Sequence, residues 1–154
     1  MRLYLVQHAK AASKEVDSQR PLTDEGRRDV QKVAAFIKPL NLGVDFLWHS
    51  GKTRAAQTAE ALAEVVEVRT ETAPRDGLAP NDDVAAMKDE LASGQHDVMI
   101  VGHLPFLSKL ASLLLAGNES TGTVAFRQGG LVCLEQGAED EWQINWMVIP
   151  ELLT

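Results

Sequence analysis

The chain has 154 residues, 45% of them hydrophobic and 24% charged, and its formal net charge at pH 7 is −7. This length and composition predict one soluble globular domain spanning residues 1–154. The acidic balance argues against nucleic-acid binding, which normally needs a basic face, and no apolar run is long enough to span a membrane.

The first predicted strand contains the continuous apolar run Leu3–Val6 and ends at Gln7-His8. Such a run is typical of a strand buried on both faces of a parallel sheet. Ligands of open α/β sheets bind beyond the carboxyl ends of the strands, so His8 is a candidate functional residue. The alternative is a strand-end histidine bonded to a loop carbonyl. Polar residues interrupt the opening run, unlike in a signal peptide, so we expect a cytoplasmic protein.

A polar connection over Ala11–Arg20 leads to the first predicted helix. Thr23 is its predicted N-cap, and Asp24 and Glu25 place carboxylates at the positive helix end. The spacing i, i+3, i+4, i+7 indicates one buried helix face, formed by Val30, Val33, Ala34 and Ile37. Pro39 ends this helix.

Strands and helices alternate over the next part of the chain. Strands are predicted at 44–49, 65–72 and 97–101, and helices from 50 to about 64, from 81 to 94 and over 106–115. Ser50 is the predicted cap of the second helix, and Asn81 or Asp82 is the predicted cap of the third. Gly94 ends the third helix, and Pro105 fits the first turn of the fourth.

The last part of the chain predicts short strands at 123–126, 131–134 and 142–148. Their connections are too short for crossover helices, so these strands are antiparallel or lie at a sheet edge. The single cysteine, Cys133, excludes an internal disulfide and is expected to be a buried strand thiol. The whole pattern predicts a three-layer α/β/α sandwich with a mostly parallel central sheet and antiparallel C-terminal strands.

Chemically active side chains follow three of the predicted parallel strands. His8 follows the first, Lys52 and Arg54 follow the second, and His103 follows the fourth. Parallel strands bring these positions to one sheet edge. A cation in the first turn of a helix is unfavourable by about 0.3–1 kcal/mol, which a bound anion reverses, so a phosphate site is predicted. The alternatives are solvated surface charges for Lys52 and Arg54 and a turn residue for His103.

Three segments, in this order, carry a resemblance to a known family. They are Leu-Tyr-Leu-Val-Gln-His-Ala (3–9), Ser-Gly-Lys-Thr-Arg-Ala-Ala-Gln-Thr (50–58) and Val-Gly-His-Leu-Pro (101–105). Together they resemble the histidine phosphatase superfamily, whose fold is phosphoglycerate mutase-like. The small size, Arg20-Pro-Leu-Thr23 before the first helix and the lack of a large inserted cap are similar to the SixA-type phosphohistidine phosphatase branch. The resemblance covers essentially the whole chain.

The resemblance implies a role for each matching residue. His8 is the implied nucleophile, forming a phosphohistidine intermediate, and Arg54 and His103 are implied to hold the phosphoryl oxygens. Gln7, Arg20 and Leu104 are implied to bind the substrate. The implied substrate is a phosphohistidine-containing partner protein, with phosphate as product. No metal or cofactor is implied, and no carboxylate or cysteine stands at ligand spacing beside the histidines.

Two departures from the family keep other functions open. Gln7 replaces the arginine that normally precedes the nucleophile, so a charge and a planar donor fork are lost. A weakened or inactive phospho-ligand binding protein is therefore one alternative, unless Lys10 or Lys52 supplies the charge. Asp76 is the only candidate general acid in the loop after the third strand. A small-molecule phosphomonoesterase, the other alternative, would need that acid, whereas cleavage of a P–N bond would not.

Overall fold

The computed structural model describes residues 1–154 and contains six strands and four helices. In chain order they are β1 Arg2–Gln7, α1 Asp24–Ile37, β2 Gly43–His49, α2 Thr53–Ala63, β3 Glu67–Pro74, α3 Val84–Gly94, β4 Val98–Gly102, α4 Phe106–Ala116, β5 Leu131–Gln136 and β6 Trp142–Val148. Short 3-10 helices lie at Lys38–Leu40 and Pro150–Leu152. None of the four α-helices combines the length and apolarity needed to cross a lipid bilayer.

The six strands form one sheet in the order β3-β2-β4-β1-β5-β6. The first four in this order are parallel to one another, whereas β5 and β6 run antiparallel to their neighbours. Gln7 pairs with Gly102, and His49 pairs with Val101, so β1, β4 and β2 end at nearly the same level. The residues that follow these three strands therefore meet at one edge of the sheet.

The helices cover both faces of this sheet and bury two apolar clusters. One cluster packs α1 and α2 against the sheet through residues such as Ile37 and Leu62. The other packs α3 and α4 on the opposite face, with Leu91 and Phe106 among its members. β1 contributes alternate side chains to the two clusters. The predicted three-layer α/β/α sandwich, with antiparallel C-terminal strands, is confirmed.

The helix caps show how side chains select their backbone partners. Thr23 caps α1 as predicted, because its Oγ1 accepts a hydrogen bond from the Gly26 N–H at 3.0 Å. The prediction of Asn81 or Asp82 for α3 is wrong, since Asp83 is the cap and accepts from the Ala85 N–H at 2.9 Å. Asp82 instead accepts from the Ala79 N–H at 2.9 Å, which holds the preceding loop.

Ser50 does not cap α2, contrary to the prediction. The N-cap is Lys52, whose side chain makes no capping hydrogen bond. The Ser50 hydroxyl lies instead 2.6 Å from Nε2 of His103. Its oxygen also accepts the Lys52 N–H at 3.3 Å. Ser50 therefore connects the end of β2 to the end of β4 rather than beginning a helix.

Two strand predictions need correction. β3 begins at Glu67, because the N–H groups of Val65 and Val66 still bond to the carbonyl of Leu62 at the end of α2. Residues 123–126 form no strand. The Thr123 N–H bonds to the Ser112 hydroxyl in α4 at 3.3 Å, and the alternating apolar side chains there are buried beside α4.

Candidate active site

His8 lies immediately after β1 and is held on both its backbone and its ring. Its N–H donates to the Gly102 carbonyl at 3.0 Å, which extends the pairing of β1 with β4. Its Nδ1 lies 2.8 Å from the Ala9 carbonyl oxygen. A carbonyl only accepts, so Nδ1 carries the proton and Nε2 keeps its lone pair. The Nε2 atom of His8 therefore carries an unprotonated lone pair.

The surroundings of His8 favour the uncharged imidazole. The side chain is almost fully buried, and burial lowers its pKa below the ordinary value for histidine. The hydrogen bond to the Ala9 carbonyl opposes this change, whereas the positive charges of Arg54 and Arg20 lower the pKa further. His8 is therefore neutral near pH 7, as a nitrogen nucleophile must be.

His103 follows β4 and faces His8. The two ring centroids are 5.1 Å apart, and the rings are tilted by 52°. Burial lowers the pKa of His103 to about 3, with further contributions from His8 and from the positive charges of Arg54, Lys52 and Arg20. The ring is only 2% exposed. Its Nε2 contacts Ser50, while its Nδ1 is buried without a hydrogen-bond partner.

Arg54 is in the first turn of α2, at the positive end of the helix dipole. Its Nε is buried without a hydrogen-bond partner, and the side chain forms no ion pair within the protein. Burial and the like charge of Arg20 lower the pKa of Arg54. An unpartnered guanidinium donor in such a place is suited to an anionic ligand.

Arg20 reaches this site through an ordered loop. The predicted polar connection is held by hydrogen bonds from the Ala12 N–H to the Pro21 carbonyl at 2.8 Å and from the Thr23 N–H to the Lys10 carbonyl at 2.9 Å. Arg20 itself has a left-handed backbone, with φ of 49°. Its Nε donates to the Ala12 carbonyl at 3.0 Å, which fixes the guanidinium.

Thr58 connects the helix that carries Arg54 to the segment that carries His8. Its fully buried Oγ1 accepts the Ala9 N–H at 3.0 Å and donates to the Arg54 carbonyl at 2.8 Å. Ala9, the residue after His8, is thus bound to the first turn of α2. This single hydroxyl sets the distance between the two parts of the site.

A basic cavity of about 460 Å³ opens beside Arg54. It is lined by the cations Lys14, Arg20, Lys52 and Arg54 and by Ser18, Gln19, Gly51, Thr53 and Pro80. No carboxylate lines it. The positive field that an anionic substrate would need in a chain of net charge −7 is therefore concentrated here.

Gln7 and Leu104 line a different cavity, which shares no residue with the basic cavity. Its volume is about 560 Å³, and its charged residues are balanced, with Lys10, Lys32 and Arg127 against Glu25, Asp29 and Glu151. Oε1 of Gln7 is buried without a partner, whereas Leu104 is 40% exposed. The structure thus groups His8, His103, Arg54 and Arg20, and places Gln7 and Leu104 beside them at a second opening.

The remaining candidates lie outside this group. Lys10 forms an exposed ion pair with Glu25 at 2.7 Å. Asp76 is exposed and lines neither of the two cavities. His49 accepts the Gly51 N–H at 3.1 Å, and His96 is a half-exposed loop residue beside Phe46. No three His, Cys, Asp or Glu side chains lie close enough together to hold a metal ion.

A sequence profile of the histidine phosphatase superfamily (branch 1) matches residues 3–78, which include His8, Arg20, Arg54 and Thr58. A protein of Picosynechococcus that has no described function is 30% identical over 145 residues, covering 90% of this chain and 87% of its own. The chain belongs to the histidine phosphatase superfamily.

This histidine phosphatase is also similar to proteins whose names state a function. The phosphohistidine phosphatase SixA of Escherichia coli is 23% identical over 155 aligned positions, covering 97% of this chain and 94% of its own. The solved structure of the protein histidine phosphatase SixA complexed with tungstate superposes with a TM-score of 0.83. It is 23% identical and covers 100% of both chains, so the two proteins share the whole fold.

Two residues of this histidine phosphatase site were not among the residues predicted from sequence. The sequence predicts a helix cap at Ser50, and Thr58 is part of the second motif without a predicted role. The four-residue spacing from Arg54 to Thr58 places both on one side of α2, which was a usable signal. The contact between Ser50 and His103 joins residues 53 positions apart, and no local pattern indicates it.

Proposed function

We propose that this protein is a phosphohistidine phosphatase that hydrolyses phosphohistidine on a partner protein through a covalent intermediate on His8. The observation that carries the proposal is the state of His8. Its Nδ1–H is held by the Ala9 carbonyl, and its buried neutral ring lies within the field of Arg54 and Arg20. A free Nε2 lone pair beside unpaired guanidinium groups is the arrangement that phosphoryl transfer to histidine requires.

In the first step the Nε2 lone pair of His8 forms a bond to phosphorus, and the P–N bond of the substrate breaks. The electron pair of that bond returns to the substrate imidazole, which takes a proton from solvent. In the second step water attacks phosphorus, and the P–Nε2 bond breaks. His8 regains its lone pair, phosphate leaves, and the proton of the attacking water passes to solvent.

Arg54 and Arg20 are proposed to neutralise the phosphoryl oxygens during both steps. Arg54 offers a buried Nε–H that has no partner within the protein, and Arg20 is fixed by its bond to the Ala12 carbonyl. Fixed guanidinium donors are effective here because they need no reorganisation while the reaction proceeds. The tungstate complex of a SixA protein supports an oxyanion as the ligand of this fold.

His103 is proposed to donate one further hydrogen bond, with Ser50 fixing its tautomer. A neutral imidazole has one N–H, and the Ser50 hydroxyl can donate to Nε2 at 2.6 Å. The proton of His103 then lies on Nδ1, which has no partner within the protein. That N–H is available to a phosphoryl oxygen. Ser50 is thus a positioning residue that acts through His103.

The exposed position of Asp76, which lines neither cavity, favours a P–N bond over an alkyl phosphate ester. An alkoxide leaving group needs a proton from a nearby acid, whereas an imidazole leaves without a strong acid. A small-molecule phosphomonoesterase is the less well supported alternative for this reason.

Gln7 supports a second candidate, a phospho-ligand binding protein with weak or no turnover. A neutral amide cannot provide the paired charge-assisted hydrogen bonds of an arginine. Lys10 lines the same cavity as Gln7 and forms an exposed ion pair there with Glu25. Lys52 contributes to the lowered pKa of His103, but it lines the basic cavity and not the cavity of Gln7.

The proposed function is tested with a peptide that carries radioactively labelled phosphohistidine. Brief incubation and rapid quenching are expected to leave label on His8 that survives alkali and is lost in acid. The variant His8→Ala is expected to show no label and no phosphate release. Label on Ser50 or Cys133 would overturn the assignment, and loss of activity with EDTA would indicate a metal. Tungstate binding without any turnover would favour the binding protein.

A further inference from the structure

The basic cavity carries more positive charge than one phosphoryl group needs. A phosphoryl group has about 1.5–2 negative charges near pH 7, whereas four cations line this cavity, namely Lys14, Arg20, Lys52 and Arg54. None of them forms an ion pair within the protein. Unpaired like charges repel one another unless an anion lies between them. The cavity therefore has capacity for a second anionic group.

The four cations differ in their burial. Arg54 and Arg20 are half-buried and lower the pKa of both His8 and His103, whereas Lys52 contributes only to His103. The two lysines, Lys14 and Lys52, are exposed at the opening of the cavity. The arginines are sufficient to neutralise the phosphoryl group. Lys14 and Lys52 are therefore available to bind groups that lie beside the phosphoryl group on the substrate.

The loop that leads from Lys14 to Ser18 beside the cavity also carries an exposed apolar side chain. Val16 lies on the loop between Lys14 and Ser18, two residues of the cavity wall, and is 80% exposed. Its N–H and that of Asp17 bond to the Ser13 carbonyl at 3.2 and 3.0 Å, so the loop tip forms a turn. A small anion gains no binding energy from contact with Val16, whereas a protein segment can pack an apolar side chain against it. The loop thus fits a polypeptide better than a small molecule.

We propose that Lys14 and Lys52 bind carboxylates that flank the phosphohistidine on the substrate protein. The preferred substrate is then an acidic segment, with its phosphohistidine directed at His8 and its Asp or Glu side chains on the two lysines. This inference rests on the proposed phosphohistidine phosphatase function and adds a substrate preference to it.

The test uses peptides in which a hydrolysis-resistant phosphotriazole replaces phosphohistidine and the flanking residues are acidic, neutral or basic. Affinity is measured by competition with tungstate, so the result does not depend on turnover. The acidic peptide is expected to bind at least about fivefold more tightly than the neutral one at low salt, from two exposed ion pairs. At 0.5 M salt the difference is expected to fall below about twofold, because exposed charges are screened.

Charge reversal tests whether the peptide preference depends on these two lysines or on the net charge of the protein. The double variant Lys14→Glu, Lys52→Glu is expected to prefer the basic peptide. The matched control Lys88→Glu, Lys109→Glu changes the net charge equally at exposed positions outside the cavity and is expected to keep the parent preference. Inorganic pyrophosphate is expected to compete less well than the acidic peptide.

Three results would overturn the inference. They are equal binding of acidic and neutral peptides by the parent, an unchanged preference in the lysine double variant, and stronger competition by pyrophosphate than by the acidic peptide. The last would assign the lysines to a small phosphorylated molecule. Failure of the proposed function has a different signature, since the peptide preference would persist in binding while labelled phosphohistidine is not hydrolysed.

Discussion

Thr58→Val removes the hydroxyl that joins α2 to the segment carrying His8, while nearly keeping the shape of the side chain. Ala9 is fully buried, so its N–H loses its partner at 3.0 Å and gains no water. A buried unsatisfied donor costs about 1–3 kcal/mol. The Arg54 carbonyl loses less, because it still accepts the Thr58 backbone N–H within the helix. The expected loss in the free energy of unfolding is therefore about 1–3 kcal/mol.

For a domain of this size, that loss corresponds to a fall in Tm of roughly 3–9 °C. Urea unfolding is expected to show a lower midpoint with an unchanged slope. The rate of phosphate release, measured well below the Tm, is expected to fall about tenfold, a barrier increase of about 1.4 kcal/mol. The reason is that the Ala9 carbonyl orients the His8 ring, and Ala9 is no longer held by α2.

Thr58→Ser is the matched control, because it keeps the hydroxyl and removes only one methyl group. It is expected to lose about 1 kcal/mol of stability from reduced apolar burial and to keep the parent rate. If Thr58→Val unfolds within about 0.5 kcal/mol of the parent, the Ala9 N–H has another partner and the argument is refuted. Equal rate losses in both variants would also contradict it, since the hydroxyl would then be irrelevant.

Four further predictions address other parts of the site. Gln7→Arg is expected to raise phosphohistidine turnover at least about tenfold, or about 1.4 kcal/mol in the barrier; an unchanged rate would indicate that Lys52 or Arg20 already supplies the charge. Arg54→Lys keeps the charge but loses the planar fork, so tungstate affinity is expected to fall at least about tenfold at unchanged Tm, and parent-like affinity would make Arg54 an ordinary surface charge. Ser50→Ala is expected to lower kcat/KM about fivefold to tenfold, from one lost hydrogen bond of about 1 kcal/mol, with recovery in Ser50→Thr; equal losses in both variants would contradict the role of the hydroxyl. His103 has a pKa of about 3 in the folded protein against an ordinary value of 6.5, so the unfolded chain binds more protons between these values and the free energy of unfolding falls as pH falls through this range. His103→Gln is expected to reduce the pH dependence of the free energy of unfolding by up to about 1.4 kcal/mol per pH unit. An unchanged pH dependence in urea unfolding would show that His103 titrates normally.

The predicted elements were most reliable where one local rule decides the structure. The run Leu3–Val6, the cap at Thr23 and the strand at 142–148 all appear in the structure with small shifts at their ends. The meeting of His8, Arg54 and His103 also follows from a simple rule, since parallel strands end at one edge. The sequence did not predict the order of the strands, in which β4 lies between β2 and β1.

The errors arose where a side chain had several partners to choose from. Ser50 is a residue type that often caps a helix, but its hydroxyl instead contacts Nε2 of His103 at 2.6 Å. Residues 123–126 alternate like a strand, but Ser112 satisfies the Thr123 N–H and no neighbouring strand is available. Gln7 and Arg54 belong to motifs that meet at one sheet edge, yet they line different cavities. The direction of a side chain at a strand end depends on the loop that follows the strand.

The central position of β1 has a consequence for how the chain emerges from the ribosome. The Arg2 N–H bonds to Asp97 across 95 residues, and its side chain contacts Glu135 across 133. At a synthesis rate of about 5–20 residues per second, the apolar run Leu3–Val6 is synthesised roughly 5–20 seconds before β4 and longer before β5. During that time its backbone N–H and C=O groups lack their native strand partners. We therefore expect nascent chains that end before Leu131 to associate with chaperones through this run, and longer chains to be released from them.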